Sequence, residues 1–220
     1  AERVLERAWT QSQVVQRRLE ATSADMVLYE RLAGNILYAN PSLRAPKSVI
    51  ARNRLGQSGL WAYGISGDLP IVLVRIADGA HIELVRQMVC AHAYWRVKGL
   101  VVDLVIWNED PSGYRQDVQE QITSVIARSA DSALIDRPGG IFVRRGDQMS
   151  EEDSVLTKTI ARVFVEGAAG TLAQQIERRA LHAAEPAPLE STKPWTKDPR
   201  ELKVRVWVDE AVQQGRLVAG

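Results

Sequence analysis

The residues best suited to chemistry gather in LWAYGISGDLPIVLVRI, Leu60 to Ile76, where Gly56, Gly59, Gly64 and Gly67 lie close to Ser66 and Asp68. A phosphate cradle would use such glycines in a loop that follows a strand and opens a helix, so that backbone amides and the helix dipole meet the anion. Here the glycines precede the apolar run, and neither GxGxxG nor a Walker lysine is present. A nucleophile elbow needs G-x-S-x-G on a strand-to-helix turn. GISGD misses the last glycine by one position. The nearest histidines offer no clear base: His81 opens a helix, and His92 falls on an apolar stripe with Val85, Met88 and Trp95, where a satisfied core-edge role is expected. A structural role is the stronger reading of the loop. Gly64 and Gly67 permit backbone angles closed to other residues. Ser66 or Asp68 can bond nearby amides in a turn, and Leu69–Pro70 can launch a strand where proline costs no ladder bond. Trp61 and Tyr63 would pack beneath the loop or stack on a sugar, core packing being the commoner role.

Carboxylates raise a second chemistry. Glycoside cleavage needs two carboxyl groups across the scissile bond. Glu109 and Asp110 fall at a strand end, and Asp147 and Asp153 flank a later strand. Neighbours at a strand end point apart, so Asp110 reads as a turn residue, and Glu151–Asp153 as dipole partners in a first helical turn. No residue is assigned as catalytic. The single cysteine, Cys90, excludes an internal disulfide and a multi-cysteine metal site, and no metal or cofactor is expected. A net charge of +1 gives no electrostatic case for nucleic acid or an acidic membrane. No apolar run approaches the roughly 20 residues that span a bilayer, so no membrane insertion is expected. The opening AERVLERAWTQSQ is charged and periodic, unlike a signal peptide, and starts inside a helical pattern without a methionine, as a piece of a longer polypeptide would.

The elements that must hold these residues follow from periodicity. Residues 2–20 and 24–38 show helical spacing, the second capped by Thr22 or Ser23 and ended by Asn40–Pro41. From there to Pro70 no element is obvious, and a loop of about 28 residues is expected to be functional or packed on a neighbour. IVLVRI (71–76) and VVDLVIW (101–107) are β-branched runs of the kind buried on both faces, with IFVRR (141–145) a weaker third. Amphipathic helices are expected over 81–98, 113–129, from Ser150 to near Gly167, and 172–182, with Ser150/Asp153 and Thr171/Gln174 at capping-box spacing. The order β-α-β-α-β-α predicts an α/β fold, a small three-stranded parallel sheet with right-handed crossovers, flanked by N-terminal helices. The expected organisation is a helical hairpin over 1–40, an α/β module over 41–182, and a linker and tail over 183–220. Residues 183–199 hold four of the nine prolines and read as a linker. LKVRVWV (202–208) alternates like a strand.

Four phrases, LYANPSLRAP, NRLGQSGLWAYGISGDLPIVLV, AHAYWRVKGLVVDLVIWNED and DRPGGIFVRRGDQM, occur in this order and resemble an internal region of the cyclic β-1,2-glucan synthases, over about residues 5–180. The resemblance implies a large bacterial inner-membrane glycosyltransferase, whose membrane part builds and cyclises a β-1,2-glucan from UDP-glucose. A C-terminal part similar to cellobiose and chitobiose phosphorylases would set chain length. No catalytic residue of that family maps onto this chain. The ending ELKVRVWVDEAVQQGRLVAG departs from the glycine-rich entry to a β-sandwich that the resemblance implies.

The reading is therefore a non-catalytic linking module at the cytoplasmic face of the inner membrane. Its partners would be neighbouring domains of the same polypeptide, with β-1,2-glucan as a candidate ligand. The alternatives are a carbohydrate-binding domain and a self-sufficient sugar-acting enzyme using Glu109, Asp68 or Asp147. In open α/β sheets ligands gather outside the carboxyl ends of the strands. That places a ligand or docking edge at Arg75, Asp78, Asn108, Glu109, Arg144 and Asp147, with Trp107 as a stacking ring if it faces the crevice. Gly64, Ser66, Gly67 and Asp68 form the structural loop on the opposite edge.

Overall fold

The computed structural model describes residues 17, 19, 21–38, 41–110 and 115–181. The chain divides into two units, 1–183 and 184–220, and the described residues all lie in the first. Almost all of the helix expected over 2–20, and the linker and strand expected after 183, lie outside the described residues.

Four strands form one parallel sheet: β1 (Ile71–Ile76), β2 (Asp103–Asn108), β3 (Ile141–Arg145) and β4 (Val163–Glu166), in spatial order β3-β2-β1-β4. The parallel α/β class agrees with the sequence, but the expected sheet of three strands gains a fourth. The helix beginning at Ser150 was expected to reach Gly167. It stops at Ile160, and Ala161 turns to an extended ψ of 125°. Arg162 then donates its amide to Ile71 O at 2.8 Å and starts β4. Val163 and Val165 prefer the pleated conformation, and β1 supplies the partner edge that local sequence could not reveal.

Among the described residues six helices surround the sheet: α1 (Ser23–Tyr38), α2 (Lys47–Ile50), α3 (Ile82–Val97), α4 (Arg115–Ala127), α5 (Glu151–Ile160) and α6 (Leu172–Leu181). Three begin as their capping residues predict. The Thr22 hydroxyl accepts from Asp25 N at 3.1 Å, Ser150 Oγ from Asp153 N at 3.0 Å, and Thr171 Oγ1 from Gln174 N at 3.2 Å. Each satisfies an amide that the first turn leaves without an intrahelical partner.

The sheet carries a core on each face. Val72, Val74, Leu104, Ile106, Val163 and Val165 pack with α1, α3, α4 and α6. Ile71, Leu73, Val105, Trp107, Phe142 and Phe164 pack instead with Leu60, Ile65 and Leu156. The stretch after Pro41 that showed no clear element is therefore the cover of this second face, together with α5. It contains α2 and a 3-10 helix, Gln57–Tyr63. The 3-10 helix lies so close to α5 that a Cβ on Gly59 would stand 2.7 Å from Leu156 Cδ2.

His92 is buried, with Nδ1 2.7 Å from Asp131 Oδ2 and Nε2 3.1 Å from Val102 O. Both nitrogens thus face oxygen acceptors. Arg96 adds an ion pair to Asp131 at 2.5 Å, off the line of a good hydrogen bond. The satisfied histidine expected from the stripe is thus part of a buried polar cluster tying α3 to the loop after α4.

Candidate functional site

Strand register brings one row of side chains across the carboxyl end of the sheet. Arg75 pairs with Trp107 on one side and Glu166 on the other, and Trp107 pairs with Arg144. Alternation along a strand puts all four on the face covered by α5. Arg75 stands at the centre, its Nη1 donating to Glu109 Oε2 at 3.1 Å and its Nη2 to Glu166 Oε1. The three side chains are 25–33% exposed, so the network is partly shielded from water. Its position has topological meaning. β2 and β3 grow from one side of β1 and β4 from the other, and the point where strand order reverses is where α/β sheets open a crevice. The Arg75–Glu166 pair bridges that point.

Described residues occupy part of the crevice. Asp78 accepts from Ala80 N at 2.7 Å and caps the short 3-10 turn that follows β1. That turn delivers His81 onto the loop after β4, where a Cβ on Gly167 would lie 2.5 Å from His81 Cγ. Trp107 is sealed as well. It is 1% exposed, Lys158 Nζ lies 4.9 Å from its ring centroid, and a Cβ on Gly146 would come within 2.9 Å of Nε1. Its ring therefore does not face the crevice, and the stacking role considered for it fails. Lys158 is half-buried, and burial, with the neighbouring Arg75, pushes its ammonium below the ordinary lysine value.

The six edge residues expected from sequence meet different fates. Arg75 and Glu109 join directly. Asn108 accepts from Asp110 N at 3.1 Å and donates to Gln119 at 3.3 Å on the other face of the sheet. Arg144 turns inward: Nε donates to Tyr63 O at 2.9 Å and Nη1 to Asp136 Oδ1 at 2.7 Å, bolting the 3-10 helix to β3. Asp147 closes a local two-point pair with Arg145 at 3.1 and 2.8 Å. Asp78 is a cap. Glu166 and Lys158 are members that sequence reasoning missed. Glu166 belongs to the unrecognised β4, and Lys158 carries no signal beyond its place on an amphipathic helix.

The loop at the opposite edge behaves as its glycines suggest. Gly64 and Gly67 have φ of 71° and 77°. Asp68 N donates to Ser66 Oγ at 3.2 Å, and Asp68 Oδ1 accepts from Gln57 Nε2 at 3.1 Å. Ser66 is at the amino edge, His81 at the carboxyl edge and His92 in the core, so no hydrolase triad assembles among the described residues. Trp61 departs from the packing expected of a lone tryptophan and is 65% exposed. Among the described residues no helix is long and apolar enough to cross a membrane, and no group of three or more His, Cys, Asp or Glu could hold a metal ion.

No protein-family model matches the chain. Over 172 residues, 78% of its length, it is 34% identical to the cyclic beta-(1,2)-glucan synthase NdvB of Rhizobium meliloti strain 1021. The match covers 6% of that protein, so the chain spans a small fraction of the relative's length.

Proposed function

We propose that this chain, which is related to the cyclic β-1,2-glucan synthases through one short segment of such a protein, is a linking module without chemistry of its own. The reach of the match carries the reading: 78% of the chain falls within 6% of the synthase. In such a polypeptide the module stands between the part that builds glucan from UDP-glucose and the part that trims it with phosphate, at the cytoplasmic face of the inner membrane. Glycosyl transfer belongs to the whole polypeptide.

The carboxyl edge supports this role. Glu109 and Glu166 do not face each other across an open cleft, because Arg75 bonds both and sits between them. That is not the carboxyl pair that glycoside cleavage needs. Charges matched among themselves offer an approaching domain a rigid polar surface, which suits contacts within one polypeptide. Arg145 and Asp147, the more exposed pair at 43% and 38%, lie on its rim.

The test supplies the two flanking segments of the synthase as separate proteins and titrates each with the chain. Binding by one of them, weakened when Arg145→Glu and Asp147→Lys are introduced singly, is the expected result. Equal binding by parent and both variants would remove this edge from the interface.

A further inference from the structure

We propose that the hollow at the amino ends of β1 and β4 holds a glucosyl unit of a β-1,2-linked glucan, with the Trp61 indole as its stacking platform. The choice of sugar rests on the relation to glucan synthases. The site itself rests on geometry.

The hollow has a volume of about 440 Å³, within the range of small-ligand clefts. It opens between the 3-10 helix, the GISGD loop and the end of α5. Leu60, Leu69 and Ile160 give it apolar walls, and Gln57, Asp68 and Arg162 supply its polar groups. This mixture of apolar wall and a few convergent polar atoms is typical of a site for a small molecule.

Each polar group is in a state to receive hydroxyls. Gln57 Nε2 donates to Ser66 O at 2.8 Å and to Asp68 Oδ1 at 3.1 Å, which fixes the carboxylate and leaves its second oxygen for a donor. Arg162 is exposed, and its guanidinium has no acceptor among the described residues. Trp61 Nε1 donates to the same Ser66 carbonyl at 3.3 Å. Trp61 does not itself line the hollow, but the carbonyl that holds it also holds Gln57 of the wall, so the indole nitrogen lies beside that wall, with its polar atom satisfied and 65% of the residue in solvent.

A pyranose matches these groups. Its C–H face carries slight positive charge and meets the negative face of an aromatic ring. Its rim of hydroxyls donates to carboxylate and accepts from guanidinium, the stronger kind of hydrogen bond because one partner is charged. The site lies on the edge opposite the docking surface, so one molecule can be held by one end and contact glucan by the other.

Isothermal titration of the 220-residue chain with linear β-1,2-gluco-oligosaccharides tests the site. The parent binds. Trp61→Ala and Arg162→Ala each weaken binding about tenfold, as loss of a main anchor does, while Trp61→Phe keeps most of it. Unfolding midpoints of all three variants stay at the parent value, because both side chains are exposed. Absence of binding by the parent, or binding unchanged in both alanine variants, would overturn the site. The linking role would survive either outcome, since it fails on a different observation, turnover by the chain itself.

Discussion

At the carboxyl ends of the strands Arg75, Glu109 and Glu166 share charge while partly in water. At the amino ends His92, Asp131 and Asp103 are wholly buried, while Asp68 and Arg162 stand exposed around a hollow and Trp61 is exposed on the adjoining loop. The first edge uses its ions on one another. The second separates the two tasks: buried polar groups fix the loops, and exposed groups are left over. A charged strand end is therefore a poor guide to a ligand site when its charges are mutually matched. The better guide is polar surface that the fold itself has not consumed.

The contrast can be broken in graded steps. The largest effect should come from His92→Leu. It leaves Asp131 buried with Arg96 as its ionic partner, and removing one member of a buried pair costs about 3–5 kcal/mol. A denaturant midpoint close to the parent's would show that this cluster does not hold the amino edge. Arg75→Ala should cost less, about 1–3 kcal/mol, between the values for exposed and buried pairs, because Glu109 and Glu166 are then left close together. A cost equal to that of His92→Leu would erase the distinction drawn between the edges.

The GISGD loop gives a sharper pair. Gly67→Val forces a branched side chain to φ 77° and puts its Cβ 2.9 Å from Gln57 Cγ, at a cost of about 1–3 kcal/mol. Asp68→Ala removes one exposed side-chain hydrogen bond, and should cost about 0.5–1.5 kcal/mol at most. Reversal of that order in unfolding midpoints would contradict a backbone role for the glycine and a lesser role for the carboxylate.

The smallest effect is one of pH. Burial raises the Asp103 carboxyl above the ordinary aspartate value, against the opposing hydrogen bond from Gly139 N at 2.7 Å and the nearby His92. A raised folded value means that the stabilising contribution is present below the unfolded pKa and is lost as pH rises through the folded one. Asp103→Asn keeps an acceptor for Gly139 without the charge. Its midpoint should therefore gain on the parent's as pH rises from acid towards neutral. A gap between variant and parent that stays constant over that range would remove Asp103 from the ledger of buried charges.

Much of the architecture was legible because local signals agreed. The β-branched runs at 71–76 and 141–145 gave strands, and Ser150/Asp153 and Thr171/Gln174 gave helix starts. β4 was hidden because VFVE is short and continues the spacing of the helix before it. Only pairing with β1 distinguishes it, and pairing is a tertiary fact. Missing β4 also hid the reversal of strand order and therefore the partner of Arg75. The candidate site was legible as a set of charged strand ends, but not as an ion network, since neither Glu166 nor Lys158 is marked by its sequence neighbours. Core packing, the commoner role of a lone tryptophan, does not hold for Trp61, which is exposed.

The central claim is that this chain links and does not catalyse. The direct test is an assay of the purified chain for glucose transfer from UDP-glucose and for phosphate-dependent release of glucose 1-phosphate from β-1,2-glucan. The account predicts neither activity. Release of glucose 1-phosphate that disappears in Glu109→Gln or another variant of the chain's own carboxylates would contradict it.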